Sequence, residues 1–295
     1  MIKTVSFSAL EPGPKFLVLG SVHGNEKCGA YAIQRIIKEF EDGILKMQKG
    51  SVTFVPICNP RAFEADTRFI ERNLNRYMLP HENPTTYEAK IGNILCPLLE
   101  TCDVLLDLHS YTAGGDPFVI IDSYEPKEYA FVGCLGASVI LTEWQEAHDA
   151  STKKDATPVD PDEAVGMTGY ARRHGAIAAL IECGQHKDPA STEAAYRAVR
   201  NALTFLGLVT ADVSIKTAPA KSISVKKVYY RGDGGSFTKA WNHMEPVKKG
   251  DIIATDENNL PVTVPGDGYL IMPNATTPPG TEWFYWGQEK PPAQE

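Results

Sequence analysis

Side chains of the types that bind metal ions and transfer protons stand at the ends of predicted strands. His23 follows the apolar run that closes with Gly20, and Glu26 comes three residues later, where a helix is predicted to begin. Because a strand-to-helix turn can bring an imidazole and a carboxylate together, the two are candidate zinc ligands. The spacing alone is a weak signal, since a glutamate at a helix N-terminus is also stabilised by the helix dipole.

His109 is the candidate for a third ligand, because it ends the predicted strand DVLLDLH. Asp107 lies two residues earlier and therefore on the same face of that strand. A carboxylate there would accept the second imidazole N–H of a metal-bound histidine and fix its tautomer. The alternative is a structural His–Asp pair, but two histidines and a glutamate at strand ends favour the metal site.

Glu182 is the candidate base for an attacking water. It closes the strand AIAALIE after six apolar or small residues, at the same predicted edge of the sheet. An acidic group in that position is costly unless it is paired or functional. A cysteine hydrolase built on Cys28 or Cys183 is a weaker alternative, because Cys183 alternates to the opposite face and a histidine partner is not evident.

Arginines concentrate in the segment CNPRAFEADTRFIERNLNRYM, which follows another predicted strand end. The four lie within sixteen residues of an acidic chain: Arg61, Arg68, Arg72 and Arg76. Arginine is suited to bidentate carboxylate recognition and to polarising a carbonyl oxygen. Arg172 and Arg173 precede the Glu182 strand, and for them a place at the pocket rim and simple exposure to solvent are about equally favoured.

The elements that must position these residues alternate between strands and helices. Strands are predicted at 15–21, 51–57, 103–109, 117–122 and 176–182, helices at 27–40, 86–101, 126–137 and 191–207, and an irregular stretch at 59–85. Such alternation predicts an α/β fold with a mostly parallel sheet and ligands at the carboxyl ends of its strands. The near-continuous apolar strands indicate a sheet covered by helices on both faces.

The pattern changes near residue 212, from where short β-rich runs alternate with Gly, Pro, Asn and Asp turns. We therefore predict a catalytic domain at 1–211 and a smaller all-β domain at 212–295. The second region resembles a lipoyl-like β-hybrid barrel. It lacks the lysine-bearing hairpin tip that modification requires, so we interpret it as a scaffold.

Composition narrows the class of protein. A net charge of -8 argues against a nucleic-acid or membrane-surface protein, and no apolar run is long enough to span a bilayer. The N-terminus lacks the pattern of a secretory signal, and the six cysteines are scattered without a C-x-x-C pair. These features favour a cytoplasmic protein with reduced thiols.

Four motifs in this order, GSVHGNE, NPRAFEADTR…NLNR, DLHS and IECGQ, resemble the succinylglutamate desuccinylase/aspartoacylase family. That family is part of the wider group of zinc carboxypeptidase-like hydrolases. The resemblance covers roughly residues 15–205, and the family also has a C-terminal β domain. It implies the zinc-carboxypeptidase-like fold and hydrolysis of an N-acyl amino acid, a small molecule such as N-succinylglutamate or N-acetylaspartate.

The resemblance also assigns roles to residues of this chain. A single zinc ion per chain would be held by His23, Glu26 and His109. Glu182 would be the general base, and Arg68 would polarise the amide carbonyl. Asn75 and Arg76 would hold the substrate carboxylate. Arg172 matches in spacing an arginine that reads a second carboxylate, and Tyr285 matches a tyrosine that closes over the substrate.

One departure concerns the residue before the leucine of NLNR. Aspartoacylases proper have an acidic residue there, whereas this chain has Asn73. The substrate is therefore left open between different acyl groups and amino acids. A zinc carboxypeptidase acting on small peptides and a non-catalytic binding protein are the remaining alternatives, and a homodimer is an expectation from the family alone.

Overall fold

A computed structural model describes residues 1–121, 125–152, 165–210 and 221–290. Its strands are β1 (Val5–Ser8), β2 (Lys15–Gly20), β3 (Ser51–Val55), β4 (Val104–Tyr111), β5 (Phe118–Ile120), β6 (Val139–Thr142), β7 (Ile177–Gln185), β8 (Lys221–Tyr230), β9 (Ser236–Phe237), β10 (Glu245–Val247), β11 (Ile252–Thr255), β12 (Pro261–Thr263), β13 (Gly268–Ile271) and β14 (Glu282–Glu289). Its helices are α1 (Cys28–Glu41), α2 (Pro60–Ala65), α3 (Tyr87–Thr101), α4 (Pro126–Gly133), α5 (Trp144–Thr152), α6 (Met167–Arg173) and α7 (Pro189–Phe205).

The main sheet is mixed, with eleven strands in the order β1-β3-β2-β4-β7-β5-β6-β8-β14-β13-β10. Its centre is parallel, because β2 pairs with β3 and β4, and β4 pairs with β7. A second sheet of three strands has the order β12-β11-β9. The α/β fold class predicted from the sequence is confirmed, and a β-rich C-terminal region is present.

Helices cover both faces of the parallel strands. Alternate residues of β2 pack into two separate apolar cores, with Phe16 and Val18 beside α1 and α7 and with Leu17 and Leu19 beside α3 and α6. Every residue of β4 is buried. A strand buried on both faces is expected to be apolar, so Asp107, His109 and Ser110 of β4 stand out.

The structure contains elements that were not predicted, and local sequence explains one of them. α2 lies within the stretch that we predicted as irregular, because the Asn59 side chain caps it and Pro60 occupies its first turn. The strands β1 and β14 were not predicted. β14 lies between β8 and β13, so its pairing depends on contacts that are distant in sequence.

The two predicted domains share one continuous sheet, since β6 pairs with β8 in parallel and β8 pairs with β14. The predicted boundary between residues 211 and 212 lies outside the described residues. Within the part of the chain that the structure describes, no helix is long and apolar enough to cross a membrane.

Candidate metal centre

The turn from β2 to α1 is built by small residues that allow close backbone approach. Ser21 has a positive φ of 45°. A Cβ added at Gly24 would lie 2.0 Å from the carbonyl carbon of Ala62, so only glycine fits between His23 and Asn25. The turn therefore places α2 against the residues that begin α1.

Three candidate ligands meet at this turn. The Nδ1 atoms of His23 and His109 lie 2.9 Å and 2.8 Å from the two carboxylate oxygens of Glu26. One ligand atom from each of the three residues lies within 4.8 Å of the other two, and all three side chains are buried. The sequence predicted this convergence from strand ends alone.

The charges in this cluster are strongly coupled. Burial, together with the charge of Arg68, lowers the pKa of His23 to about 4. Burial alone would raise the pKa of Glu26, but the charges of His23 and His109 hold it well below its usual range. Burial would lower the pKa of His109, but the charges of Asp107 and Glu26 raise it well above its ordinary value.

The second nitrogen of each imidazole faces an oxygen. His23 Nε2 lies 2.9 Å from Oδ1 of Asn73, a hydrogen bond that leaves Nδ1 as the acceptor nitrogen. His109 Nε2 lies 2.9 Å from Oδ2 of Asp107, although the two atoms lack the angles of a hydrogen bond. Both arrangements turn the Nδ1 atoms toward Glu26.

This donor set fits a zinc ion. Two imidazole nitrogens and one carboxylate oxygen are ligands that catalytic zinc sites use, with further positions left for water and substrate. Beside the three ligands, the buried Oε2 of Glu182 has no hydrogen-bond partner in the described part of the chain, as expected where a further group completes the site. A bound metal would displace the proton from His109 Nδ1.

Glu182 stands beside the cluster on the neighbouring strand, where it is the register partner of His109. Its Oε2 is buried and has no hydrogen-bond partner. Burial first, and then the negative charge of Glu26, raise the pKa of Glu182 to about 8, against the charges of His109 and Arg68. A carboxyl group that titrates near neutrality in this place is suited to proton transfer.

The arginine segment contributes three predicted residues at different distances from the cluster. Arg68 Nη1 donates a 2.9 Å hydrogen bond to Glu26, while 48% of its side chain is exposed. Asn75 Oδ1 accepts from the backbone N–H of Met167 at 2.8 Å. Arg76 is partly exposed and lies 3.7 Å from Glu282.

Arg172 is held away from this edge of the sheet. Its Nε donates to Glu128 at 2.6 Å, and its guanidinium also bonds the carbonyl oxygen of Ala178. Ala178 precedes Glu182 by four residues on β7, which is about 13 Å at roughly 3.3 Å per residue. Sequence spacing did not show that α4 supplies a carboxylate for this arginine.

Tyr285 is buried in β14 with its ring 4.3 Å from the ring of Trp144. Burial raises the pKa of Tyr285 well above its ordinary value, and the charges of Arg76 and Arg68 act in the opposite direction. Arg76 Nη2 lies 3.7 Å from Glu282, the first residue of the same strand. The C-terminal region thus contributes a wall beside the arginine segment.

Sequence reasoning missed His186, which follows β7. Its Nδ1 lies 2.9 Å from the hydroxyl oxygen of Ser110. The backbone N–H of Ser110 donates to Glu26 at 3.2 Å. The signal was present in the sequence, because His186 stands just beyond a strand end like His23 and His109. Among the described residues, His186 is not part of the ligand group formed by His23, Glu26 and His109.

Comparisons with known proteins agree with this geometry. Residues 12–209, about two thirds of the chain, match the model of the succinylglutamate desuccinylase/aspartoacylase catalytic domain. The structure is similar to a crystal structure of a succinylglutamate desuccinylase/aspartoacylase from Rhodobacter sphaeroides, with a TM-score of 0.76 at 17% identity. That likeness covers 99% of this chain and 90% of the other and concerns the fold.

Curated relatives are similar over shorter stretches. A probable aspartoacylase from Nostoc sp. is 34% identical over 119 residues, which are 37% of this chain and 39% of that protein. An N-acyl-aromatic-L-amino acid amidohydrolase (carboxylate-forming) from Rattus norvegicus is 34% identical over 116 residues, 35% of each chain. The chain therefore spans about two fifths of the length of the curated relatives it matches.

Proposed function

The chain belongs to the succinylglutamate desuccinylase/aspartoacylase family, and from this premise we propose that it is a zinc-dependent deacylase that hydrolyses the amide bond of an N-acyl amino acid. The observation that carries the proposal is the buried group of His23, Glu26 and His109, with Glu182 on the adjoining strand. A buried cluster of this kind is costly to a fold and is retained where it performs chemistry.

His23, Glu26 and His109 are the residues that would hold the metal. When bound, zinc supplies a Lewis acid that makes water a better nucleophile near neutral pH and polarises a carbonyl oxygen. Asn73 and Asp107 orient the two imidazole rings from behind. Such outer partners fix the tautomer of a ligand histidine and raise its basicity.

Glu182 is proposed as the proton carrier. It accepts a proton from the attacking water while the new C–O bond forms at the amide carbon. It then donates that proton to the amide nitrogen as the C–N bond breaks, so the products are a carboxylic acid and a free amine. Burial and the negative charge of Glu26 raise its pKa. A bound cation beside it would lower the pKa again, toward the range in which a carboxyl group both accepts and donates a proton.

Arg68 is proposed to stabilise the carbonyl oxygen as negative charge develops on it. Its guanidinium already lies within hydrogen-bond distance of Glu26 and has an exposed flank for a substrate. A fixed cation in that position stabilises a tetrahedral intermediate more than a planar amide. Asn75 and Arg76 are proposed to bind the substrate carboxylate, and Tyr285 to close over the bound substrate.

Two substrate classes are candidates for this site. The family resemblance favours a second carboxylate, as in N-succinylglutamate or N-acetylaspartate. An aromatic amino acid is the second candidate, because Arg172 is bound to Glu128, and Tyr285, whose ring pairs with Trp144, belongs to β14, the strand whose Glu282 contacts Arg76. The name of the rat relative is in keeping with the aromatic class.

Other readings of the same site are less well supported. The family match argues against a carboxypeptidase on this site, and Glu182 and Arg68 beside the histidines argue against a binding protein that has lost the chemistry. A cytoplasmic location and a homodimer stay predictions.

The experiment is a release assay over a panel of N-acyl amino acids with acidic, aromatic and aliphatic side chains. We expect amine release that a chelator abolishes and zinc restores. Preference for N-acyl aspartate or glutamate would support the acidic class, and preference for N-acyl phenylalanine or tyrosine the aromatic class. Cleavage of dipeptides alone would contradict deacylation and favour the carboxypeptidase.

A further inference from the structure

A buried carboxylate lies behind the arginine segment. Glu88, in the first turn of α3, is only 2% exposed. Its Oε1 accepts from the Asn59 side chain at 3.2 Å and from the backbone N–H of Ile70 at 2.8 Å. Its Oε2 accepts from the backbone N–H groups of Glu71 and Arg72 at 3.2 Å and 3.3 Å.

Three consecutive backbone N–H groups therefore converge on one carboxylate. Such a concave run of N–H groups binds an anion, and here the anion is a side chain of the protein itself. Four donors from the described residues face Glu88, and the two oxygens of a carboxylate can accept all four hydrogen bonds. Its place in the first turn of a helix adds the stabilisation of the helix dipole.

The segment that Glu88 holds carries residues of the proposed site on both sides. Arg68 lies just before the three N–H groups, and its carbonyl oxygen accepts from Gly24 at 3.2 Å. Asn73 lies just after them and contacts His23 Nε2. Residues 70–72 form no helix or strand, so hydrogen bonds to side chains have to fix their backbone.

Glu88 also joins this segment to the rest of the sheet edge. Asn59 caps α2 by accepting from the backbone N–H of Ala62, and its amide nitrogen bonds Glu88. The cap of α2, the start of α3 and the arginine segment thus share one carboxylate. A displacement of Glu88 would be transmitted to Arg68 and Asn73.

We propose that Glu88 is a positioning residue for the deacylation reaction, which sets the place of Arg68 and of the Asn73 amide that orients His23. This inference rests on the proposed function. Glu88 does not touch the reacting atoms, so its effect has to pass through the backbone of residues 70–72.

The test compares Glu88→Gln with Glu39→Gln. A glutamine keeps the shape of Glu88, but its amide NH2 opposes two of the four donors whichever way it turns. Glu39 is a matched control, because its carboxylate accepts from Tyr196 and Arg200 at 2.7 Å and 2.8 Å on the far side of α1. Both variants lose a charged acceptor, but only the first lies behind the site.

We expect Glu88→Gln to lower kcat by at least about tenfold, as a misplaced positioning group does. Hydrogen exchange of the backbone amides of residues 70–72 should become at least about tenfold faster in the same variant. Glu39→Gln should lower the thermal midpoint while leaving kcat and this exchange unchanged. Zinc affinity should fall in Glu88→Gln and not in Glu39→Gln.

Unchanged kcat and unchanged exchange in folded Glu88→Gln would overturn the inference. Equal losses of kcat in both variants would also overturn it, since they would reflect stability alone. If Glu88→Gln does not fold, exchange in the wild-type protein decides, because unprotected amides at residues 70–72 would contradict the proposed restraint. Absence of turnover in the wild-type protein would instead contradict the proposed function, and the exchange result would stand apart from it.

Discussion

Two regions of the molecule bury opposite kinds of side chain. At the carboxyl edge of the parallel strands the buried residues include imidazoles and carboxylates, among them His23, Glu26, Asp107, His109 and Glu182. In the antiparallel region beyond residue 221 the core is aromatic and aliphatic, with Tyr229, Ile253, Leu270, Trp283, Phe284 and Trp286. Burial of charged groups in the first region costs stability, whereas apolar packing in the second region contributes it.

The difference indicates that one region provides the chemical groups and the other provides stability. Buried charges contribute little net stability, because desolvation offsets much of their attraction. Apolar burial stabilises by about 25 cal/mol per Å², and stacked pairs such as Tyr229 and Phe284 add to it. The C-terminal region can therefore serve as a support that keeps the polar edge of the sheet in place.

The two regions meet at defined contacts. His243 from the C-terminal region stacks on Phe118 with ring centroids 4.5 Å apart, and Phe118 is the register partner of Glu182. Glu143, which follows β6, accepts from Ser224 and Lys226 of β8. Because the two regions bury different kinds of side chain, changes at the polar edge should mainly reduce activity, and changes in the apolar C-terminal core should mainly reduce stability.

The largest effect is expected for His109→Ala. Removal of one of three ligands should abolish zinc retention and reduce turnover by more than about a thousandfold, since the metal and its Lewis acidity are lost together. Zinc content and amine release of the purified variant are the measurements. His174→Ala, at the end of α6, is the matched control and should keep both properties. Full turnover in His109→Ala without zinc would contradict the assignment of the chemistry to the polar edge of the sheet.

Glu182→Gln should retain zinc but lose turnover by about 10²- to 10⁴-fold, the contribution expected of a proton carrier. The variant removes a group with an unpartnered buried oxygen, so its stability should not fall with its activity. Steady-state kinetics and metal analysis on one preparation check both points. Normal turnover in this variant would contradict the proposed mechanism.

Ile253→Ala addresses the other region. Ile253 is fully buried in the C-terminal core, so truncation should lower the free energy of unfolding by about 2–5 kcal/mol. Well below its thermal midpoint the variant should keep kcat/KM within about twofold, because the polar edge is untouched. Calorimetry and kinetics together make the measurement. A loss of kcat with little loss of stability would show that this region does more than support.

Glu143→Gln should have the smallest effect and one that depends on pH. Burial alone would raise the pKa of Glu143, but hydrogen bonds from Lys226, Lys290 and Ser224 lower it to about 2. Because the folded pKa lies below the ordinary value of 4.5, the stabilisation is complete above that value and is lost as pH falls toward 2. We expect a loss of about 1–2 kcal/mol at neutral pH. A difference that persisted unchanged at pH 2 would argue against this charge contact between the regions.

The sequence was most informative where local pattern determines position. His23, Glu26, His109 and Glu182 could be predicted to meet because each ends a strand or begins the next helix, and parallel strands bring such ends to one edge. The place of Glu88 and the ion pair of Arg172 could not be predicted. They depend on contacts between elements far apart in the chain, for which spacing carries no signal. The same holds for β14, which pairs between two strands that precede it.

The central claim is that zinc held by His23, Glu26 and His109 supports deacylation. The most direct test is a titration of zinc into the metal-free protein, with bound zinc and amine release measured on the same samples. We predict that turnover rises in proportion to bound zinc and saturates at about one ion per chain. Turnover that is complete in the metal-free protein, or zinc that binds without any release from the whole substrate panel, would contradict the claim.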